Sequence, residues 1–166
     1  MSDPFFEGAV VLLCQHDDDG AFGLIINRPG SLSISQVASA VDVSCTHNGS
    51  EMTWWGGPVG QGACFIIWRG EATQEEGWTI SENIAVSQSL HTLRRLVDTG
   101  EDFHVTVGYS GWESTQLETE ISTGSWLYVE ADPQIVFDLP MNQRYDAALA
   151  LLGLTRHTVW MTPINE

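Results

Sequence analysis

The chain contains no lysine. Its 166 residues carry 22 acids against six basic residues, all arginine, for a formal charge of −16. Binding DNA means neutralising several phosphates with Lys and Arg on one face. Arg28, Arg69, Arg94, Arg95, Arg144 and Arg156 are scattered, and only Arg94 and Arg95 are adjacent. Direct nucleic-acid binding is therefore not expected, and the acid excess predicts a strongly solvated surface. Long hydrophobic runs are missing as well. Nothing approaches the ~20 apolar residues that span a bilayer, and no basic segment precedes an apolar one as in an export signal. The expectation is a soluble, cytoplasmic chain without a membrane partner. Cysteine is scarce: Cys14, Cys45 and Cys64 form no CxxC pair. An odd count argues against a disulfide framework and for a reducing compartment. Cys14 and Cys64 lie in apolar runs, where cysteine serves as a small buried hydrophobe.

Recognisable catalytic and cofactor motifs are absent too. There is no HExxH, no tight histidine spacing, no GxGxxG and no P-loop. His16 beside Asp17, Asp18 and Asp19 is the one local ligand-like cluster, and three acids at a turn are ordinarily just hydrated. No cofactor and no metal are expected. Ser110 in GYSGW lacks the second glycine of a nucleophile elbow, because Trp112 stands where glycine is needed.

What is present suits a single domain over residues 1–166. A chain of about 150 residues buries roughly 70% of its unfolded surface without staples, and 43% of this one is hydrophobic. Residues 9–16 (AVVLLCQH) and 22–27 (FGLIIN) read as two strands, joined by a hairpin loop at Asp17-Asp18-Asp19-Gly20. Both runs are nearly all apolar, so both faces should be covered. Pro29 is expected to end the second strand. Ser33 and Gln36 form a capping box for a helix burying Ile34, Val37, Ala38 and Val41. Residues 42–53 read as a loop, 64–68 (CFIIW) as a strand, and 70–83 as a hydrophilic excursion. Ser87 or Ser89 caps a helix running to Asp98, with Leu90, Leu93, Leu96 and Val97 inward.

Residues 103–107 (FHVTV) alternate like a half-buried strand, which a glycine turn at Gly108–Gly111 should end. A helix then follows from an N-cap at Ser114, with Leu117 and Ile121 inward and Gly124 as its stop. Residues 126–130 (WLYVE) read as a strand. Asp132-Pro133 starts a short helical turn, and Asn142 caps a last helix with Tyr145, Ala148, Leu149 and Leu152 inward. Residues 155–166 read as a tail or edge strand. The class is mixed α/β with an antiparallel component.

Five blocks in order carry a resemblance. They are Asp3-Pro4-Phe5-Phe6 with Val10–Cys14 and His16, then Gly23–Pro29, then Gly56-Gly57-Pro58-Val59. Gly108–Trp112 with Gln116-Leu117-Glu118 and Glu120-Ile121 comes next, and Trp126 closes the set. Together they resemble the AlgH/YqgE family of bacterial proteins, from Asp3 to about Leu154. The resemblance implies a compact α+β domain with a largely antiparallel, barrel-like sheet flanked by helices. It also implies a regulatory role, since the family takes its name from a proposed part in transcriptional control of alginate synthesis. It supplies no catalytic residues. One departure is Gly124, where the family usually has Asn.

The candidate site follows from where these blocks fall. Asn27-Arg28-Pro29 sits at a strand exit, and the Arg28 guanidinium suits a carboxylate or phosphate; alternatively it pairs with Glu118 or Glu120 to fix the loops. Gly56-Gly57-Pro58 could present successive N–H groups to an anion, or simply form a tight turn. Tyr109, Gly111, Trp112 and Gln116 supply a third wall. Glu118 and Glu120 stand two apart on the helix and diverge, so they make a poor acid–base pair. The expected function is a non-enzymatic binding or regulatory protein. It acts through a protein partner or small-molecule ligand in that cleft, as a monomer or weak homodimer. The alternative is a small-molecule enzyme, such as a hydrolase, using Arg28 with Glu113, Glu120 or His16.

Overall fold

The structure, a computed structural model, describes residues 6–45 and 48–156. Its longest strand, β8 (Phe103–Glu113), runs straight through the glycines of GYSGW. The sequence reading ended that strand at Gly108. Gly108 does take a positive φ of 77°, but pairing continues on either side of it. The turn comes later, at Ser114-Thr115, where Thr115 is the N-cap with φ 66°. Ser114, the expected cap, instead donates its hydroxyl to the Asp18 carbonyl.

The remaining strands are β1 (Val11–Asp17), β2 (Gly20–Ile25), β3 (Pro29–Ser33), β4 (Met52–Trp55), β5 (Val59–Trp68), β6 (Gly77–Ser81) and β7 (Ile84–Ser87). They form one sheet in the order β1-β2-β8-β5-β7-β6, with β4 paired to β8 and to β3. Every pairing is antiparallel except β4 with β8. The helices are α1 (Ile34–Ser39), α2 (Leu90–Thr99), α3 (Gln116–Ser122) and α4 (Arg144–Leu151), with a π-helical turn at Gln134–Asp138. The sheet curls until its two end strands meet, and Trp78 Nε1 of β6 donates to Gln15 Oε1 of β1 at 3.3 Å. The result is a nearly closed antiparallel barrel flanked by helices.

Strand alternation divides the core in two. Phe65 and Ile67 of β5 face the barrel interior with Leu12, Leu24, Ile26, Ile84 and Val86. Ile66 and Trp68 face outward, under α1 and α2, with Ile34, Ala38, Leu93, Leu96 and Phe103. Both faces are covered, which is why these runs read as continuously apolar. Cys14 packs against the interior and Cys64 against the outer layer. Burial pushes both thiols up, so both stay protonated at neutral pH.

Gly56 is the tightest joint. Its N–H donates to the Val107 carbonyl at 2.8 Å, and its own carbonyl accepts from Ile25 N at 2.9 Å and Ser110 Oγ at 3.2 Å. A Cβ on Gly56 would collide with the Gly108 carbonyl oxygen, and one on Gly57 (φ 151°) with that of Tyr109.

Other expectations are met or revised locally. The hairpin closes with Asp17 opposite Gly20. The α1 capping box forms on both arms, Gln36 N to Ser33 Oγ at 3.1 Å and Ser33 N to Gln36 Oε1 at 2.8 Å. Asp132 caps the π-helical turn through Gln134 N at 2.9 Å. Pro29 begins β3 rather than closing β2, and the first position of an edge strand suits a residue without an N–H. The hydrophilic stretch 70–83 contains β6, and β7 follows it. Val41, Leu90 and Leu152 are exposed rather than inward. Asn142 lies in a 3₁₀ turn ahead of α4, whose N-cap is Gln143. Residues 126–130 are not a strand: among the described residues, no backbone hydrogen bond joins them to a neighbour. The tail expected over 155–166 lies outside the described residues from 157 onward.

Gly56→Ala should lower stability by about 2–4 kcal/mol, because the methyl meets a fixed carbonyl rather than a flexible side chain. Urea unfolding followed by circular dichroism measures this, and a midpoint equal to that of the native chain would refute the joint's importance.

Candidate functional site

The three loops named from the sequence are neighbours. Trp55 N donates to the Arg28 carbonyl at 2.9 Å, which ties the Asn27-Arg28-Pro29 segment to the strand before Gly56. Gly56, Gly57 and Pro58 in turn run against β8 at Gly108–Ser110. Contact is backbone to backbone, so the junction is packed solid.

The side chains point outward from this junction as braces. Asn27 Oδ1 accepts from Val10 N at 2.8 Å, and its Nδ2 donates to the Gly8 carbonyl at 2.9 Å. Arg28 Nη2 donates to the Glu7 carbonyl. Both residues therefore hold the chain entering β1, and Arg28 pairs with neither Glu118 nor Glu120 among the described residues. Tyr109 packs edge-on against Phe22 and Phe65, with ring centroids 6.3 and 6.0 Å away. Gly111 lies opposite Phe22 in the β2–β8 ladder.

Glu120 is the hub of the other block. Its Oε1 accepts from Trp112 Nε1 at 3.2 Å and from Trp126 Nε1 at 2.9 Å. Its Oε2 accepts from Gln116 Nε2 at 3.0 Å, and Gln116 Oε1 accepts from Glu113 N at 2.9 Å. The indoles meet edge to face at 5.7 Å, with Phe6 5.5 Å from Trp126. One carboxylate thus satisfies two indole donors and pins the start of residues 126–131 to β8. The sequence pointed to each of these residues, but not to Glu120 as their common acceptor.

Those braces frame an open groove of about 1100 Å3. One wall is residues 6–13, leading into and along β1; the other is the segment 123–132, a turn followed by irregular chain. Ile135, Val136, Ala148 and Leu149 close the bottom, and Ile80 and Ser81 of β6 stand at one end. Glu7, Glu130, Asp132 and Arg156 also line it, and Arg156 is held by Asp146 at 2.6 Å. Of the ten residues named from the sequence (Asn27, Arg28, Pro29, Gly56, Gly57, Pro58, Tyr109, Gly111, Trp112 and Gln116), none lines this groove. The sequence signal for it was residues 126–130, which read as a strand.

Two of the three groups weighed for proton transfer, His16 and Glu120, have other partners. His16 Nε2 lies 3.0 Å from Glu118 Oε1, a contact that holds the Glu118 carboxyl below its usual range. Glu120 is taken by the tryptophans. Among the described residues, no three His, Cys, Asp or Glu side chains gather as a metal site would require.

A further cluster escaped the sequence reading. Arg144, only 5% exposed, donates Nε to the Leu139 carbonyl at 3.1 Å and Nη1 to that of Ile26. Its guanidinium lies 4.4 Å from the Trp54 ring centroid, and no carboxylate among the described residues pairs with it. Burial pulls its pKa to about 10, so it remains charged at neutral pH. His104 stacks on Trp54 at 4.4 Å. Burial first, then the Arg144 charge, push the His104 pKa down to about 4.

Fold and groove together define a class: small α+β proteins with a nearly closed barrel, one side groove and helices outside. The chain belongs to the AlgH-like family, whose model matches residues 1–157. A UPF0301 protein of Vibrio vulnificus is 38% identical over 93% of this chain and 87% of its own length. One from Chromobacterium violaceum is 36% identical over 92% and 84%. The solution structure of AlgH from Pseudomonas aeruginosa superimposes with a TM-score of 0.78 at 32% identity, covering 98% of this chain and 88% of that one. A crystal structure from Corynebacterium diphtheriae shares the fold at a TM-score of 0.68 and 17% identity, over 90% and 80%.

Glu120→Ala should strand two indole donors and loosen residues 123–131, at a cost of about 1–3 kcal/mol. A red-shifted tryptophan emission together with a lower melting temperature would bear this out, and unchanged emission would refute it. His104 sets a pH dependence. The unfolded chain takes up its proton near the ordinary 6.5, the folded one only near 4, so the unfolded state binds more protons between those values. Stability should fall as pH drops through that window, by up to about 3 kcal/mol from this residue. His104→Phe should flatten that slope in denaturant titrations at stepped pH; an unaltered slope would count against it.

Proposed function

We propose that this chain is a non-enzymatic binding protein, and that its binding surface is the groove between residues 6–13 and 123–132. A regulatory role would then be indirect, exerted through a small ligand or a protein partner rather than by contact with DNA. The observation that carries this reading is an open groove of about 1100 Å3 lined by both apolar and polar groups. That is the size of a ligand site, and side chains braced elsewhere hold its walls. The Arg28, GGPV and GYSGW blocks act as the frame on this reading. Of the proton-transfer candidates from the sequence, Glu113, Glu120 and His16, the last two are bound to two indoles and to Glu118 respectively, which supports binding over catalysis. The net charge of −16 with six dispersed arginines supports indirect regulation.

The test is a thermal-shift screen of metabolites, nucleotides and peptides. A ligand at about 100 times its dissociation constant adds roughly 2.7 kcal/mol of stability, a shift of several degrees. Tyr128 lines the groove and is 64% exposed. Tyr128→Ala should therefore weaken a true groove ligand while leaving the unliganded melting temperature unchanged. A ligand indifferent to Tyr128→Ala and to other groove substitutions would place binding elsewhere.

A further inference from the structure

Among the described residues, the outer edge of β1, which pairs with β2 alone, and the facing residues 126–131 have no ladder partner. Val10 turns its polar groups toward β2: its carbonyl accepts from Ile26 N at 2.9 Å, and its N–H is taken by Asn27. In an antiparallel pair the direction alternates by residue. Leu12 therefore faces β2 as well, while the N–H and C=O groups of Val11 and Leu13 face the groove. Across from them, residues 126–131 make no backbone hydrogen bond among the described residues. At the β6 end the Ser81 hydroxyl is buried without a hydrogen-bond partner. Two runs of unpaired backbone along the walls of one groove are donors and acceptors of the kind an added strand takes up.

Charge selects what that strand would be. Glu7, Glu130 and Asp132 line the groove, and the one lining arginine among the described residues, Arg156, is paired with Asp146. A second copy of this chain would bring another formal −16, so edge-to-edge self-pairing is opposed by repulsion. Resting on the groove reading above, we propose that the groove takes up an extended basic polypeptide segment as an added β-strand. Main-chain hydrogen bonds to Val11 and Leu13 provide affinity, apolar side chains fill the floor, and arginines or lysines meet the carboxylates.

The test uses the full chain and a short fluorescent peptide alternating arginine and valine. Saturable binding that weakens with salt is expected, with the amides of Val11 and Leu13 gaining protection from hydrogen exchange. N-methylating alternate peptide nitrogens should reduce affinity by roughly tenfold or more, as should Val11→Pro, which removes a donor outside the β1–β2 ladder. If Val11→Pro misfolds, the N-methylated peptide on the native chain decides alone. Four results would overturn the proposal: no binding up to about 1 mM, equal binding of a glutamate–valine peptide, binding insensitive to N-methylation, or protection confined to other strands. A small molecule that binds through Tyr128 while the basic peptide fails would sink this inference and leave the groove reading standing. Binding that maps wholly away from the groove would sink both.

Discussion

One backbone position governs how the barrel is assembled. Along one edge of β8, the lower half is occupied by β4 at Thr106 and Val107, and the upper half by β2 at Ser110–Glu113. The two occupants run in opposite directions, so they cannot be one continuous strand. Gly56 fills the splice: its amide completes the β4 side and its carbonyl receives Ile25 and Ser110. A side chain there would hold β2 away from β8. The β1–β2 hairpin hangs on β2, so the splice also sets where β1 lies, and with it the groove.

The signature residues are then intelligible as a mounting. Asn27 and Arg28 follow β2 and reach back to residues 7–10, fixing one wall through its backbone atoms. Glu120, carried on a helix of only seven residues, fixes the other wall by its two indole contacts. A carboxylate accepting two N–H bonds holds more firmly than neutral pairs would. Such braces allow a segment like 126–131 to keep its place without a ladder. Polar residues at loop ends are ordinarily suspected of touching ligand; here they position the surfaces that could.

Much of this was legible in the chain, and the losses have definite causes. Ser33 and Gln36 announced α1 because a capping box is a purely local interaction, and the apolar run 64–68 announced β5 because both its faces are covered. Gly108 misled because a positive φ inside a strand is written with the same residue as a turn. β6 was hidden within a polar stretch since its barrel face carries only Trp78 and Ile80. The WLYVE segment read as a strand because aromatic and β-branched residues favour one, but pairing is a tertiary event that composition does not encode. The groove depends on the outer edge of β1 and on residues 126–131 lacking ladder partners among the described residues, which the strand reading of 126–130 could not foresee. Glu120 as a hub required knowing that Trp112 and Trp126 converge, which only the return of the chain after α3 provides.

Arg144 bears on the charge balance from the inside. A chain with 22 acids buries a guanidinium and gives it two carbonyls and an indole face instead of a carboxylate. Burying a carboxylate beside it would add a second desolvation cost, which a low-dielectric pair recovers only with complete hydrogen bonding. Carbonyl oxygens and the Trp54 π-face supply negative potential at a smaller cost, since their dipoles are already buried. Among the described residues Arg144 is the one buried arginine, and its charge adds to burial in keeping the neighbouring His104 neutral. That placement leaves the groove carboxylates without an internal counter-charge, and so gives the groove its negative sign.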